Sequence, residues 1–220
     1  MAPTPVQEEM GLSMLKYLTP VITLGLFACS GGGGETPPEN AQALAAASDT
    51  AETLGPPVGS PMPDFRLNDA DGGMRTLADI AGENGTVIYF NRSLDWCPFC
   101  QTQTMEVNAA AGRFAALGYG VVTITYDSVD TLRAFAERRS IGITLLSDPD
   151  SSLVDALDIR DPVYTDPGSM AYGVPYPITF IVGADGMIEG KYWHEPGYGE
   201  ERGYRQRITV GDVLAQLETD

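Results

Sequence analysis

The chain has 220 residues, 43% of them hydrophobic, and carries 30 acidic against 13 basic side chains for a net charge of −17. That length supports one ordinary core and one domain, with room for an appendage. The charge excludes a nucleic-acid partner, because phosphate backbones are held by clusters of Lys and Arg, and lysine occurs here only at Lys16 and Lys191. An acidic, lysine-poor surface either suits a salty medium or simply keeps the protein soluble by self-repulsion. The three cysteines are too few for a disulfide-stapled scaffold. Cys29 ends an apolar run, while Cys97 and Cys100 form a C-x-x-C pair.

Residues 18–28 are an apolar run preceded by Lys16. The run is shorter than the ~20 residues a membrane span needs and has the length and positive flank of a secretory signal core. Its end, Leu26-Phe27-Ala28-Cys29, resembles the bacterial lipobox, in which a small residue precedes the cysteine that becomes lipidated. Phe27 is bulkier than that pattern usually holds. Glu8 and Glu9 fit a signal poorly, whereas Met14-Leu15-Lys16 makes a good start, so residues 1–29 are expected to be a lipoprotein signal with its true beginning at Met14. Ser30 and Gly31 to Gly34 then supply a flexible tether. Residues 30–57, rich in Ala, Pro, Glu, Thr and Ser, have too little apolar surface to offset their ordering entropy and are expected to be a linker.

The expected folded domain is 58–220. Residues 65–67 and 74–77 flank Asp71-Gly72-Gly73 and predict a hairpin. Thr86-Val87-Ile88-Tyr89-Phe90 reads as a strand covered on both faces. Residues 97–117, alanine-rich and stopped by Gly118, predict a helix. A second buried strand over 121–125 follows, then a helix over 129–139 with Leu132, Phe135 and Ala136 on one face. A short strand at 144–146 and a helix near 151–157 come next. Residues 178–182 and 187–193 form a hairpin around Asp185-Gly186, and a helix over 210–217 closes the chain. This order predicts an α/β sandwich with a central mixed sheet. Residues 161–176, broken by Pro and Gly, are either a substrate-facing wall or a packed surface loop.

The chemistry concentrates in Cys97-Pro98-Phe99-Cys100. Two cysteines three apart at a helix start lie on one side of the first turn, close enough to bond. A free thiol ionises near 8.5, but a C-x-x-C pair at a helix N-terminus can do so between roughly 3.5 and 7.5, because unpaired N–H groups and the helix dipole favour negative charge there. Pro98 loses nothing at that position. Cys97 is therefore the expected attacking sulfur and Cys100 the resolving one. Zinc would need two further ligands, and the chain has no second C-x-x-C and only His194. No metal and no dissociable cofactor is expected; the redox group is the Cys97–Cys100 disulfide itself. Closing so small a loop contributes little stability, which makes a purely structural bridge a poor explanation.

Three features carry a resemblance over residues 58–220: Met62-Pro63-Asp64-Phe65, Trp96-Cys97-Pro98-Phe99-Cys100, and Pro177-Ile178-Thr179-Phe180-Ile181-Val182. In this order and spacing they resemble the redoxin branch of the thioredoxin fold, which holds AhpC/TSA-like peroxiredoxins and membrane-anchored thiol–disulfide proteins. The resemblance implies a cis-proline at Pro177 beside the cysteines, with the backbone of Tyr176 exposed to a passing substrate chain and Trp96 as an apolar wall. Asn91 stands where thioredoxins carry a buried acid, which removes their proton route. Arg92 either favours the thiolate or is a solvated loop residue. His194, solitary, reads as a surface residue.

The leading functional reading is a thiol–disulfide oxidoreductase, with disulfide or thiol substrates and a thiol electron donor, anchored in the cell envelope by lipid and facing the periplasm, on the outer membrane by resemblance to sorting patterns. The alternative is a peroxiredoxin-like peroxidase using Cys97 as the peroxidatic cysteine. The resemblance implies for that activity a Thr or Ser three places before the cysteine and an Arg before the final hairpin, where this chain has Leu94 and Pro177. On that ground Cys97 is expected to meet peroxide as an ordinary thiol does. A third reading is a lipoprotein that only binds a partner through this fold.

Overall fold

A computed structural model describes residues 54–219. The expected signal, its expected start at Met14, the expected lipidation site Cys29 and most of the expected linker lie outside the described residues.

The sequence order folds as predicted into a seven-stranded mixed sheet between helices. Strands β1 (Leu67–Asp69) and β2 (Met74–Arg75) form the N-terminal hairpin, followed by a short helix α1 (Leu77–Ile80). Then come β3 (Gly85–Phe90), α2 (Pro98–Ala116), β4 (Tyr119–Thr125), α3 (Val129–Arg139), β5 (Thr144–Ser147) and α4 (Ser152–Ala156). The hairpin β6 (Ile178–Gly183) and β7 (Ile188–Trp193) and the helix α5 (Val210–Leu217) complete the chain. Strand order is β2-β1-β5-β4-β3-β6-β7. The β3–β4 and β4–β5 pairs are parallel and the rest antiparallel.

β3 lies inside the sheet between β4 and β6, and all six of its residues are buried. Its alternation sorts the core: Val87 and Tyr89 face Val107 and Phe114 of α2 and Val213 and Leu214 of α5, while Ile88 and Phe90 pack with Leu153, Leu157 and Phe180 on the other face. A strand buried on both faces needs this continuous β-branched and aromatic run. α2 stops where Gly118 takes φ +77°, a conformation in which a Cβ would approach the Asn84 side chain to 2.7 Å.

The folded unit begins before residue 58, which shortens the expected linker. Leu54 is buried in the core, and the Lys191 ammonium donates to the carbonyls of Leu54, Gly55 and Pro56 at 3.0, 3.2 and 3.0 Å. The composition of 54–57 hides this because the anchoring charge comes from β7.

Candidate active site

The C-x-x-C pair sits at the start of α2. Cys97 is the N-cap with extended backbone, Pro98 occupies the first turn, and the Cys100 N–H donates to Cys97 Sγ at 3.3 Å. The two sulfurs form a disulfide across a Cα separation of 5.3 Å. Both cysteines are buried, at 1% and 0% exposure, in a cluster with Leu94, Leu132, Phe135 and Leu145. Leu94, read from sequence as a missing polar helper, is thus part of the wall that encloses the sulfurs.

The loop leading to Cys97 is held by Asp127, two residues beyond the end of β4. Its carboxylate accepts from Ser93 Oγ at 2.8 Å, from the Leu94 N–H at 2.6 Å and from Thr125 Oγ1 at 2.9 Å. Burial pushes this carboxyl above the ordinary range, with these hydrogen bonds opposing the shift. Ser93 Oγ in turn accepts the N–H groups of Asp95 and Trp96, so one buried carboxylate organises the whole approach to Cys97.

Arg207, which the sequence reading did not single out, places its guanidinium against the sulfurs: Nη2 lies 3.3 Å from Cys100 Sγ and 3.9 Å from Cys97 Sγ. Nη1 donates to Gln103 Oε1 at 2.8 Å and to Asn91 Oδ1. Gln103 also donates to the Ile208 carbonyl, tying α2 to the segment that carries Arg207. A Thr209–Asp212 capping box then starts α5, fixing where this segment ends. Burial, then the charge of Arg92, push Arg207 down to about 9, which leaves it a cation at neutral pH. The available sequence signal was modest: Arg205 and Arg207 lie just ahead of a capped helix.

Arg92 is neither solvated nor on a sulfur. It is 1% exposed, and its guanidinium lies 3.8 Å from the ring centre of Tyr204, 4.3 Å from that of Tyr164 and 5.1 Å from that of Trp96. Its Nε and Nη1 have no hydrogen-bond partner, so the aromatic faces hold the charge. Tyr164 belongs to the 161–176 loop, and Tyr126 joins that loop to the site by donating to the Met170 carbonyl while accepting from Trp96 Nε1 at 2.9 Å. The loop is therefore packed against the site.

Pro177 and Tyr176 are placed differently from expectation, whereas Trp96 packs against the cluster that holds both cysteines. No cis peptide bond occurs among the described residues, so Pro177 is trans, against the implied cis-proline. The chain enters β6 already extended, with Arg160 bridged to Pro175 and the Tyr176 N–H bound to the Ile159 carbonyl at 2.8 Å. The β3–β6 register puts Pro177 one step beyond the Phe90–Ile178 pair, level with Asn91. Tyr176 is buried, its hydroxyl donating to the His194 carbonyl at 2.8 Å and its ring edge-on to Tyr198. Burial first, then Asp161, push its phenol up to about 12. It packs the core and does not expose a substrate rail. Trp96 is half-buried between Tyr126 and Arg92.

Beside the pair, a cavity of about 390 Å³ is lined by Pro98, Phe99, Gln103, Arg205, Arg207 and Ile208, among others. A larger one of about 840 Å³, near Pro61 and Gly186, contains neither cysteine. No group of three or more His, Cys, Asp or Glu side chains is placed to hold a metal ion among the described residues.

A cysteine pair closed as a disulfide at a helix start, beside a guanidinium and within a thioredoxin-like sheet, defines a thiol redox protein. A model of the AhpC/TSA family matches residues 58–191, and the chain belongs to that family. A Mycobacterium tuberculosis chain named as a peroxiredoxin is 30% identical over 154 residues, 69% of this chain and 94% of its own. Peroxiredoxin Bcp of Escherichia coli K12 is 29% identical over 134 residues, 60% of this chain and 82% of its own. The crystal structure of peroxidoxin BcpB from M. tuberculosis covers 76% of this chain and 98% of its own, with TM-score 0.59 and 21% identity, and shows the shared fold. Arg207 lies beyond the residues that the family model matches.

Proposed function

We propose that the protein is a thiol peroxidase. The Cys97 thiolate attacks the O–O bond of a hydroperoxide and takes one oxygen to become a sulfenic acid; the departing alkoxide or hydroxide takes up a proton. The Cys100 thiol then condenses with the sulfenic acid, forming the disulfide and releasing water. Two equivalents of an external thiol return the pair to the dithiol. The observation that carries this reading is Arg207 Nη2 within 3.9 Å of both sulfurs. It supplies the polar donor that Leu94 and Pro177 do not, and charge fixed before reaction is worth most in a buried site. The ordering of the two enzyme readings from sequence accordingly reverses, and the peroxiredoxin names of the relatives support the same direction. The enclosure of both sulfurs also favours a small oxidant over a protein chain.

A second reading, thiol–disulfide exchange, is supported by the disulfide closing within one helical turn. Stopped-flow oxidation of the reduced protein separates the two. Hydrogen peroxide or an alkyl hydroperoxide should react several orders of magnitude faster than with a small thiol of the same pKa, and insulin reduction should be slow. A peroxide rate equal to that of the small thiol, with rapid insulin reduction, would reinstate exchange.

We also propose that the chain is exported and lipid-anchored at Cys29, a reading supported by the sequence pattern of residues 14–34.

A further inference from the structure

The two sulfurs have different partners. Cys97 Sγ accepts the neutral Cys100 N–H at 3.3 Å, whereas Cys100 Sγ has the Arg207 guanidinium at the same distance, nearer than the 3.9 Å from that cation to Cys97. The acceptors that fix Arg207, Asn91 Oδ1 and Gln103 Oε1, are both amide oxygens. No salt bridge to a carboxylate forms at Arg207 among the described residues. Asn91 in particular stands where an acid would have neutralised the cation. The other charge close to Arg207 is Arg92, a second cation. The full positive charge of Arg207 is thus left to the sulfurs, and it is centred towards Cys100.

We propose that Arg207 receives the Cys100 thiolate when the disulfide is reduced, which directs the external thiol to Cys97. An incoming thiolate attacks Cys97 Sγ, the Cys97–Cys100 bond breaks, and its electron pair passes to Cys100 Sγ, which becomes ion-paired with the guanidinium. A second external thiolate attacks the external sulfur of the mixed disulfide, releasing Cys97 as a thiolate and an external disulfide. Exchange runs faster the lower the pKa of the leaving thiol, and an adjacent cation lowers it. The same charge gives Cys100 no need of a general acid, which accounts for a neutral Asn91 at this position. The inference requires only that the pair cycles, so it holds whether peroxide or another disulfide is the oxidant.

The test uses the folded chain without peroxide. In a Cys97→Ser protein, the Cys100 thiolate is titrated by its ultraviolet absorbance, with Arg207 intact and as Arg207→Gln and Arg207→Lys. The glutamine variant should titrate higher by about one pH unit or more, and lysine should restore most of the difference. In the Cys100→Ser background, Arg207→Gln should move Cys97 by less. Reduction of the wild-type disulfide by 2-mercaptoethanol should slow roughly threefold to tenfold in Arg207→Gln, with the trapped mixed disulfide on Cys97 by mass spectrometry. Should the glutamine variant not fold, Asn91→Asp, which sets a carboxylate against Arg207, should raise the Cys100 titration in the same way. An unchanged Cys100 titration in the folded variants, or mixed disulfide found on Cys100, would overturn the assignment.

Discussion

The guanidinium of Arg92 lies 3.8 Å from the ring centre of Tyr204, and through that contact the segment after β7 is fastened over the cysteine pair. Tyr204 also meets Phe99 of the C-x-x-C turn and Tyr164 of the 161–176 loop edge-on, and Arg205 lies over the Phe99 ring. A desolvated cation–π contact is worth about 2 kcal/mol. Tyr204→Leu should therefore destabilise the protein by about that amount and loosen the cover. Iodoacetamide should label Cys97 of the reduced variant severalfold faster than wild type at one pH. Equal labelling rates would show that the segment does not govern access.

The cysteines divide the labour in a way that leaves distinct products. Cys97→Ser should abolish peroxide turnover, since it removes the sulfur proposed to attack the O–O bond and leaves only the resolving one. Cys100→Ser should keep the first oxidation and accumulate a sulfenic acid on Cys97, because only its condensation is lost. A sulfenic-acid-specific nucleophile followed by peptide mass spectrometry should find the adduct on Cys97. An adduct on Cys100 in a Cys97→Ser protein, with turnover retained, would exchange the two roles.

The fold was legible because its signals are local. Val129–Arg139 and Val210–Leu217 carry their own caps, Ser128 and the Thr209–Asp212 box, and β3 announces its burial by an unbroken apolar run. The cysteine pair was legible because its spacing is its chemistry. What surrounds the pair was not. Arg207 reaches the sulfurs only because Gln103 and the start of α5 carry its segment there, a contact between residues far apart in sequence. Arg92 read as solvated or catalytic with equal ease, since nothing near it in the chain announces rings supplied by Tyr164 and Tyr204. The cis-proline failed for a related reason: the resemblance fixed the position of Pro177, while the path of the chain into β6 depends on pairing with residues near Ile159.

The signal reading makes a prediction that the folded domain cannot influence. Residues 14–34 combine a charged start, an apolar core, a small residue before Cys29 and a glycine tether. When the chain is expressed in a diderm bacterium, mass spectrometry of the membrane fraction should find a mature chain that begins at a diacylated Cys29. A single acyl chain holds a protein to a bilayer only marginally, so two are needed for stable anchoring. Cys29→Ser should leave uncleaved precursor and no lipidated product. Recovery of wild-type soluble protein still carrying residues 14–28 would remove the anchor from the account.

Asp127 offers a test of how the site is held rather than of its chemistry. The carboxylate accepts from Ser93, Leu94 and Thr125, and it is buried. In Asp127→Ala the Leu94 N–H loses its acceptor in an enclosed position, and the cost should be about 3 kcal/mol in urea unfolding. Asp127→Asn should cost less, because an amide oxygen can still face Leu94 and Thr125 while its N–H₂ meets Ser93. The pH dependence has a definite sign. Burial raises the folded carboxyl above its unfolded value, so folding takes up a proton in the window between the two. The stability this group contributes is fully present below its unfolded pKa and is lost as pH rises through the folded one. Wild type should therefore lose stability relative to Asp127→Asn as pH rises from the unfolded carboxyl pKa through the raised folded one, a difference that cancels the other carboxylates. Peroxide reactivity of Cys97 should fall in the alanine variant, since the Ser93 to Trp96 approach is no longer fixed. A wild-type advantage that grows with pH over that range would mean that Asp127 gains more from its three donors than it loses to burial.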